Sequence, residues 1–266
     1  MYASFQDLDV LVVEPSAVQA RIVRDALAKL GVTRVQTADS GASALSAMHA
    51  ATPALTISPM YLPDMSGVDM LQTMRADETL SGVAFILISS ELREEVLDPI
   101  RQSGASAILP KPFTEADLVT ALRSTLDYLN PRQQLDVVVD LERLRVLLVD
   151  DSPNARKFMM RVLNNLGIEN IVEANNGREG AEVLGSSMFD LVFTDYNMPE
   201  MDGLAFVKHI REQSWQATVP VIMVTSETNE ARLEEVRQAG VSGICDKPFE
   251  PVVVKRVIEA ALSASG

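Results

Sequence analysis

Cysteine is almost missing from this sequence of 266 residues, since Cys245 is the only one. A single cysteine excludes a disulfide within the chain and fits a reducing compartment. The sequence also lacks a run approaching the roughly 20 apolar residues that a membrane-spanning helix needs. Its N-terminus has neither the basic nor the apolar region of a signal peptide. We therefore expect a cytoplasmic protein without a membrane partner.

Positive charge is scarce as well. There are 23 Lys and Arg residues against 37 Asp and Glu residues, which gives a formal net charge of −14. No cluster of basic residues interrupts this acidity, so we do not expect nucleic acid as a partner. Apolar residues, in contrast, make up 47% of the chain. A chain of this length can therefore bury two separate cores.

The sequence contains an internal repeat. Val10–Val13 is matched by Val146–Val149, an offset of 146 − 10 = 136, and Lys111 and Gly67 are matched at the same offset by Lys247 and Gly203. Because the offset stays constant, no insertion or deletion separates the two copies. A repeat of this length indicates a duplicated domain. The predicted organisation is a first domain at 8–129, a linker at 130–143 and a second domain at 144–264.

Each copy alternates short apolar runs with longer segments of helical period. The runs are too short for helices and rich in β-branched residues, which is typical of buried parallel strands. Five strand–helix repeats predict an α/β domain with a doubly wound sheet, whose ligand site lies beyond the carboxyl ends of the strands. The strands predicted in the second copy are Val146–Val149, Ile171–Glu173, Leu191–Thr194, Val221–Val224 and Gly243–Cys245.

Polar residues of the second copy fall at these carboxyl ends. Asp150 and Asp151 follow the first strand, and Asp195 follows the third. Thr225 ends the fourth strand, and Lys247 follows the fifth. Each feature alone is compatible with ordinary structure, such as a helix cap or a turn. Together they predict one cluster at one edge of one sheet.

The chemistry of such a cluster follows from its charges. Three crowded carboxylates repel one another and raise pKa values, and Mg²⁺ with its preference for oxygen ligands relieves that repulsion. A carboxylate can attack phosphorus, while a metal ion and a lysine stabilise the charge on the transferring phosphoryl group. A neighbouring hydroxyl can bind the phosphate once it has arrived. The cluster therefore predicts a site that accepts a phosphoryl group.

Four segments of the second copy, in this order and spacing, resemble the CheY-like receiver domain family of two-component response regulators. The resemblance covers essentially all of 144–264. It implies two flavodoxin-like (βα)5 domains, each with a five-stranded parallel sheet of strand order 2-1-3-4-5. The segments are Val149-Asp150-Asp151-Ser152, Thr194–Gly203, Val224-Thr225-Ser226-Glu227 and Asp246-Lys247-Pro248-Phe249.

The resemblance also implies a role for each site residue. Asp195 would be the phosphoacceptor, Asp151 a direct Mg²⁺ ligand and Asp150 a ligand acting mainly through water. The backbone carbonyl of Asn197 would complete the protein's share of the metal shell. Thr225 would supply the switch hydroxyl and Lys247 the phosphate-binding ammonium. Asn197 and Glu227 would tune the lifetime of the phosphoryl group on Asp195.

The first copy lacks most of this chemistry. At the offset of 136, the phosphoacceptor, both acidic neighbours, the switch hydroxyl and the lysine correspond to Pro59, Glu14, Pro15, Ser89 and Lys111. Proline cannot carry an acyl phosphate, and one carboxylate is a poor magnesium site. Asp64 lies too far along the loop to substitute. We expect a degenerate receiver, or pseudo-receiver, in which Lys111 pairs with Glu14.

The resemblance implies a bacterial response regulator, with a chemotaxis- or motility-type phosphorelay as one candidate pathway. The protein would not be an enzyme beyond catalysing its own phosphorylation and dephosphorylation. A sensor histidine kinase or phosphotransfer protein would donate the phosphoryl group, and a downstream protein would be contacted in response. The candidate roles of the first domain include homodimer formation and contact between the two receivers. Two alternatives stay open: a regulatory module of a larger cyclic-dinucleotide synthase or phosphodiesterase, and a phosphate sink or scaffold without output.

Overall fold

The computed structural model describes residues 2, 4–91, 93–130, 141, 143–227, 229–247 and 251–263. The chain divides into two compact units, Met1–Asn130 and Pro131–Gly266. Of the predicted linker at 130–143, residues 131–140 and 142 lie outside the described residues, so the domain boundaries stay predictions. None of the described helices combines the length and the apolar character needed to cross a bilayer.

The first unit consists of five strands that alternate with five helices, after a short 3₁₀ turn at Phe5–Asp7. All strands are parallel, and the sheet order is β2-β1-β3-β4-β5. The elements are β1 Asp9–Val13, α1 Ala17–Lys29, β2 Arg34–Ala38, α2 Gly41–Ala50, β3 Leu55–Pro59, α3 Gly67–Ala76, β4 Ala84–Ser89, α4 Glu94–Gln102, β5 Ala107–Pro110 and α5 Glu115–Leu129.

The second unit repeats this topology, with sheet order β7-β6-β8-β9-β10 and parallel strands throughout. The predicted pair of flavodoxin-like domains with strand order 2-1-3-4-5 is therefore confirmed. The elements are β6 Arg145–Val149, α6 Pro153–Asn165, β7 Asn170–Ala174, α7 Gly177–Ser186, β8 Leu191–Asp195, α8 Gly203–Gln213, β9 Val221–Thr225, α9 Glu230–Gln238, β10 Gly243–Asp246 and α10 Pro251–Ser263.

Burial explains why the central strands were visible in the sequence. Every residue of β4, β8 and β9 is buried, because helices cover both faces of a parallel sheet. The edge strand β2 has no buried residue, and β7 has one. The continuous apolar runs therefore mark the middle of each sheet, and Asp195 and Thr225 are the last residues of two such strands.

In each unit, one arginine donates hydrogen bonds to backbone carbonyls of the same two loops. The Arg75 guanidinium donates hydrogen bonds to the backbone carbonyls of Ser81, Val83 and Gly104. Its counterpart Arg211 (75 + 136) donates to the carbonyls of Ala217, Val219 and Gly240. Such multiple charge-assisted bonds fix otherwise unpaired carbonyls. The two units therefore share loop geometry as well as topology.

Gly203, the first residue of α8, allows the closest backbone approach near the site. A Cβ atom there would lie 2.1 Å from the Asp195 carbonyl oxygen, whereas one at Gly185 in α7 would meet nothing within 4 Å. We predict that Gly203→Ala lowers the free energy of unfolding of the second unit by about 1–3 kcal/mol, because backbone must shift.

The matched control Gly185→Ala should raise the same free energy by about 0.5–1 kcal/mol, because alanine is the better residue inside a helix. Urea unfolding monitored by circular dichroism measures both changes. The interpretation is wrong if Gly203→Ala is as stable as wild type.

Candidate functional site

The predicted site residues meet at the carboxyl edge of the second sheet. Asp195 is the last residue of β8, where it lies opposite Val224, the neighbour of Thr225 in β9. Asp150 directly follows β6, and Lys247 directly follows β10. Asp150, Asp195, Thr225 and Lys247 are all buried. The sheet topology thus brings together side chains that are far apart in the sequence.

Lys247 joins two of the carboxylates. Its Nζ lies 2.8 Å from Asp150 Oδ2 and 2.9 Å from Asp195 Oδ1, and its side chain is fully buried. Its backbone N–H donates to the Thr225 carbonyl at 2.9 Å. One ammonium therefore connects the ends of β6 and β8, while its own backbone is fixed to β9.

Negative charge exceeds positive charge in this cluster. Asp150, Asp151 and Asp195 each place a carboxylate oxygen within 4.8 Å of the other two, and Asp151 is the exposed member. Among the described residues, the buried Asp195 Oδ2 has no hydrogen-bond partner. A buried carboxylate with an unsatisfied oxygen, grouped with two further carboxylates, suits a small hard cation. The residues present therefore fit a divalent metal ion such as Mg²⁺.

The electrostatics support this description. Burial, followed by repulsion from Asp150, raises the pKa of Asp195 to about 6 even though Lys247 opposes the shift. Burial and the Asp150 charge also raise the pKa of Asp151. Burial alone would lower the pKa of Lys247, but the adjacent Asp195 and Asp150 carboxylates raise it. The sequence predicted raised pKa values from mutual repulsion, whereas burial is the larger cause.

The end of β9 forms a tight turn. The backbone N–H of Glu227 donates to Thr225 Oγ1 at 2.9 Å, and Glu227 Oε2 lies 2.6 Å from an Arg232 guanidinium nitrogen on α9. Asn197 is exposed in the loop after β8. Thr225 and Glu227 thus lie at the same sheet edge as the acidic cluster, and Glu227 forms an ion pair with a residue of α9.

Sequence reasoning missed Arg156 of α6. Its buried guanidinium donates to the Asp150 carbonyl and lies 2.9 Å from Glu173 Oε2. The repeat carried a signal for it, because Arg156 and Glu173 correspond to Ala20 and Thr37 in the copy that also lacks the acidic pair. Arg156 and Glu173 are thus present only in the copy that has the acidic pair, and this difference between the copies indicates that they support the site.

The corresponding edge of the first unit has different contacts. Lys111 Nζ lies 3.9 Å from Glu14 Oε2, so the expected pair is present but long, and it donates to Gln19 Oε1 at 3.1 Å. Pro15 and Pro59 contribute no side-chain oxygen. In the described part of this unit, no group of three acidic, histidine or cysteine side chains could hold a metal ion.

Two further polar side chains of the first unit, those of Ser89 and Asp64, accept hydrogen bonds from backbone N–H groups. Ser89 Oγ accepts the backbone N–H of Glu91 at 2.9 Å, as Thr225 does in the second unit. The Asp64 carboxylate accepts the backbone N–H groups of Gly41 and Ala42 at 2.9 and 2.8 Å. These bonds lower the pKa of Asp64. Asp64 therefore serves the N-terminus of α2 rather than the position of the missing acceptor.

The sequence profile of the response regulator receiver domain matches this chain twice, at residues 10–123 and 146–259. The chain belongs to the response regulator receiver family. It carries two receiver domains, and the acidic cluster of Asp150, Asp151 and Asp195 lies in the second receiver. The first receiver has the same fold with a different set of residues at the corresponding edge.

The chain is also similar in sequence to curated chemotaxis proteins. The chain is 37% identical to chemotaxis protein CheY1 of Helicobacter pylori over 123 residues, which is 46% of this chain and 99% of that protein. It is 37% identical to CheY of Pseudomonas aeruginosa over 116 residues, 44% of this chain and 94% of that protein.

Two solved structures are also similar. The chemotaxis protein CheY4 of Vibrio cholerae is 34% identical with a TM-score of 0.42, covering 45% of this chain and 98% of its own. A putative two-component response regulator/GGDEF domain protein is 22% identical with a TM-score of 0.41, covering 96% of this chain and 98% of its own.

The raised pKa of Asp195 predicts a pH-dependent stability. A folded-state pKa of about 6 against an ordinary 3.8 means that stability falls as pH rises through this interval and stays low above it. In metal-free buffer at pH 7, Asp195→Asn should therefore raise the free energy of unfolding, by on the order of 1–2 kcal/mol. Near pH 4.5 the gain should largely vanish.

Thermal unfolding with a chelator at both pH values measures this effect. Glu169→Gln, an exposed carboxylate before β7 at the opposite end of the sheet, is the matched control and should change little. A stability difference between Asp195→Asn and wild type that is the same at pH 4.5 and pH 7 would contradict the burial of a charged Asp195.

Proposed function

We propose that this response regulator accepts a phosphoryl group on Asp195 of the second receiver and signals by contacting another protein. The observation that carries this proposal is the position of Lys247 between Asp150 and Asp195, while Asp195 Oδ2 has no hydrogen-bond partner in the part of the chain that the structure describes. A carboxylate oxygen in this position is available to attack phosphorus. The buried ammonium beside it can stabilise the charge of the transferring group.

Magnesium fits the donors present. Asp150, Asp151 and Asp195, with the backbone carbonyl of Asn197, would hold the ion. When bound, Mg²⁺ would neutralise charge on the oxygens of the transferring phosphoryl group. Lys247 would hold Asp195 in position and pair with a phosphoryl oxygen, and the Thr225 hydroxyl would bind another one.

Phosphoryl transfer from a phosphohistidine to Asp195 needs no further reactant. An Asp195 oxygen forms a bond to phosphorus as the bond between phosphorus and the imidazole nitrogen of a phosphohistidine breaks, and the imidazole keeps that electron pair. A sensor histidine kinase or a phosphotransfer protein would present this donor. Attack by water on phosphorus then releases inorganic phosphate and regenerates the carboxylate. Asn197 and Glu227 would tune the rate of this second step.

The output would be a change in protein–protein contact. An aspartyl phosphate adds about two negative charges beside Lys247 and Thr225, which can shift a receiver between two surface states. Proteins with 37% identity to this chain are named chemotaxis proteins, which supports a regulator of that kind. The single buried cysteine and the acidic composition are compatible with a cytoplasmic location.

The first receiver would be a pseudo-receiver. Its position for the acceptor is Pro59, and its Lys111 contacts Gln19 and Glu14 instead of an acidic cluster. It would act through its surface, by docking to a partner, to a second copy of the chain or to the other receiver. The boundaries 8–129 and 144–264 are part of this proposal.

Phosphoryl incorporation tests the proposal. With Mg²⁺ and acetyl phosphate, wild type should gain one phosphoryl group per chain by intact-mass spectrometry, and Asp195→Asn should gain none. Asp151→Ala should reduce the rate strongly, because a metal ligand is lost. Chelation of Mg²⁺ should abolish incorporation.

The two receivers provide a matched pair of lysine variants. Lys247→Met should slow incorporation by at least about tenfold, as expected for loss of a buried cation that stabilises the transferring group. Lys111→Met, the same change at the corresponding place of the first receiver, should leave the rate unchanged. Incorporation that persists in Asp195→Asn would overturn the assignment of the acceptor and of the pseudo-receiver.

A further inference from the structure

Glu227 is held by α9. Its side chain is only 11% exposed, and one carboxylate oxygen lies 2.6 Å from an Arg232 guanidinium nitrogen. The other oxygen accepts the backbone N–H of Asn229 at 2.8 Å. The position of this carboxylate is therefore set by the N-terminal half of α9 and the loop before it.

Glu227 also belongs to the rim of the acceptor site. Its backbone N–H donates to the hydroxyl of Thr225, and the residue before Thr225 lies opposite Asp195 across the β8–β9 ladder. The backbone N–H of Tyr196 donates to the carbonyl of Val224 at 3.2 Å, which fixes the two strand ends together. The Glu227 backbone is therefore bonded to the hydroxyl proposed to bind the phosphoryl group, and an uncompensated charge on Glu227 would make the potential at this rim more negative.

In the first receiver, the residue that corresponds to Glu227 is Glu91, and it pairs with a residue of its own loop. Glu91 Oε2 lies 2.7 Å from Arg93 within its own loop. The position that corresponds to Arg232 is Val96 of α4, which packs against the apolar core. The cation on the helix is thus present in the receiver that has an acceptor carboxylate and replaced by an apolar side chain in the receiver that has none.

We propose that Arg232 is a positioning residue for phosphoryl transfer, which fixes and neutralises Glu227 so that the site can receive an anionic donor. This inference rests on the proposed function of Asp195. Removing Arg232 takes the guanidinium away from a carboxylate that is only 11% exposed. Its repulsion of the donor then slows the formation of the bond between Asp195 and phosphorus.

A double-mutant cycle tests this role. Initial rates of incorporation from acetyl phosphate with saturating Mg²⁺ are compared for wild type, Arg232→Ala, Glu227→Gln and the double variant. Arg232→Ala should be roughly two- to fivefold slower, the range that a partly exposed ion pair supports. In the Glu227→Gln background the same substitution should have no effect, because the charge to be neutralised is gone.

Three further comparisons separate positioning from a general effect on the helix. Arg232→Lys should largely restore the rate, and the defect of Arg232→Ala should shrink at high salt because charge repulsion is screened. Arg237→Ala is the matched control: Arg237 is on the same helix, pairs with Glu230 and Glu234, and should leave the rate unchanged.

The outcomes distinguish this inference from the proposal on which it rests. If wild type takes up no phosphoryl group, the function proposed for Asp195 is wrong and the role of Arg232 is wrong with it. If wild type is active and Arg232→Ala matches it, or is slowed equally with Glu227→Gln present, only the role of Arg232 is overturned. A defect that persists unchanged at high salt likewise contradicts charge neutralisation.

Discussion

The arrangement of the second receiver's carboxyl edge depends on one buried ammonium group, which pairs with two buried carboxylates. Lys247 is the cation that lies between Asp150 and Asp195, and both carboxylates are almost entirely removed from water. Burying two carboxylates with one lysine leaves an excess of negative charge, which costs free energy unless a further cation enters. The same excess of negative charge therefore makes the cluster suited to a divalent metal ion.

The first receiver shows that the fold does not depend on this cluster. It has the same strand order, a fully buried central strand β4 and the same arginine bonded to loop carbonyls, although its edge carries Pro15 and Pro59. Apolar burial and backbone hydrogen bonds are thus sufficient for the architecture. The charged groups add a local requirement, which explains how one copy could lose the site residues and keep the domain.

The sequence predicted much of this arrangement. Buried parallel strands are continuous apolar runs, and residues that follow them must meet at one edge, so Asp150, Asp195 and Lys247 could be placed together. The partners of Arg156, Arg211 and Arg232 could not be predicted, because a long side chain reaches groups whose positions depend on tertiary packing. The cause of the raised pKa of Asp195 was likewise hidden, since its burial depends on how the helices cover the strand.

The cationic side chains around the second site have one physical task in common. Lys247 compensates Asp150 and Asp195, Arg156 compensates Glu173 while holding the Asp150 carbonyl, and Arg232 compensates Glu227. A site that must admit an anion tolerates few unpaired carboxylates at its rim, because repulsion between like charges grows as water is excluded. Outside the acidic cluster, Glu173 and Glu227 therefore each have a counter-ion of their own, which α6 and α9 supply.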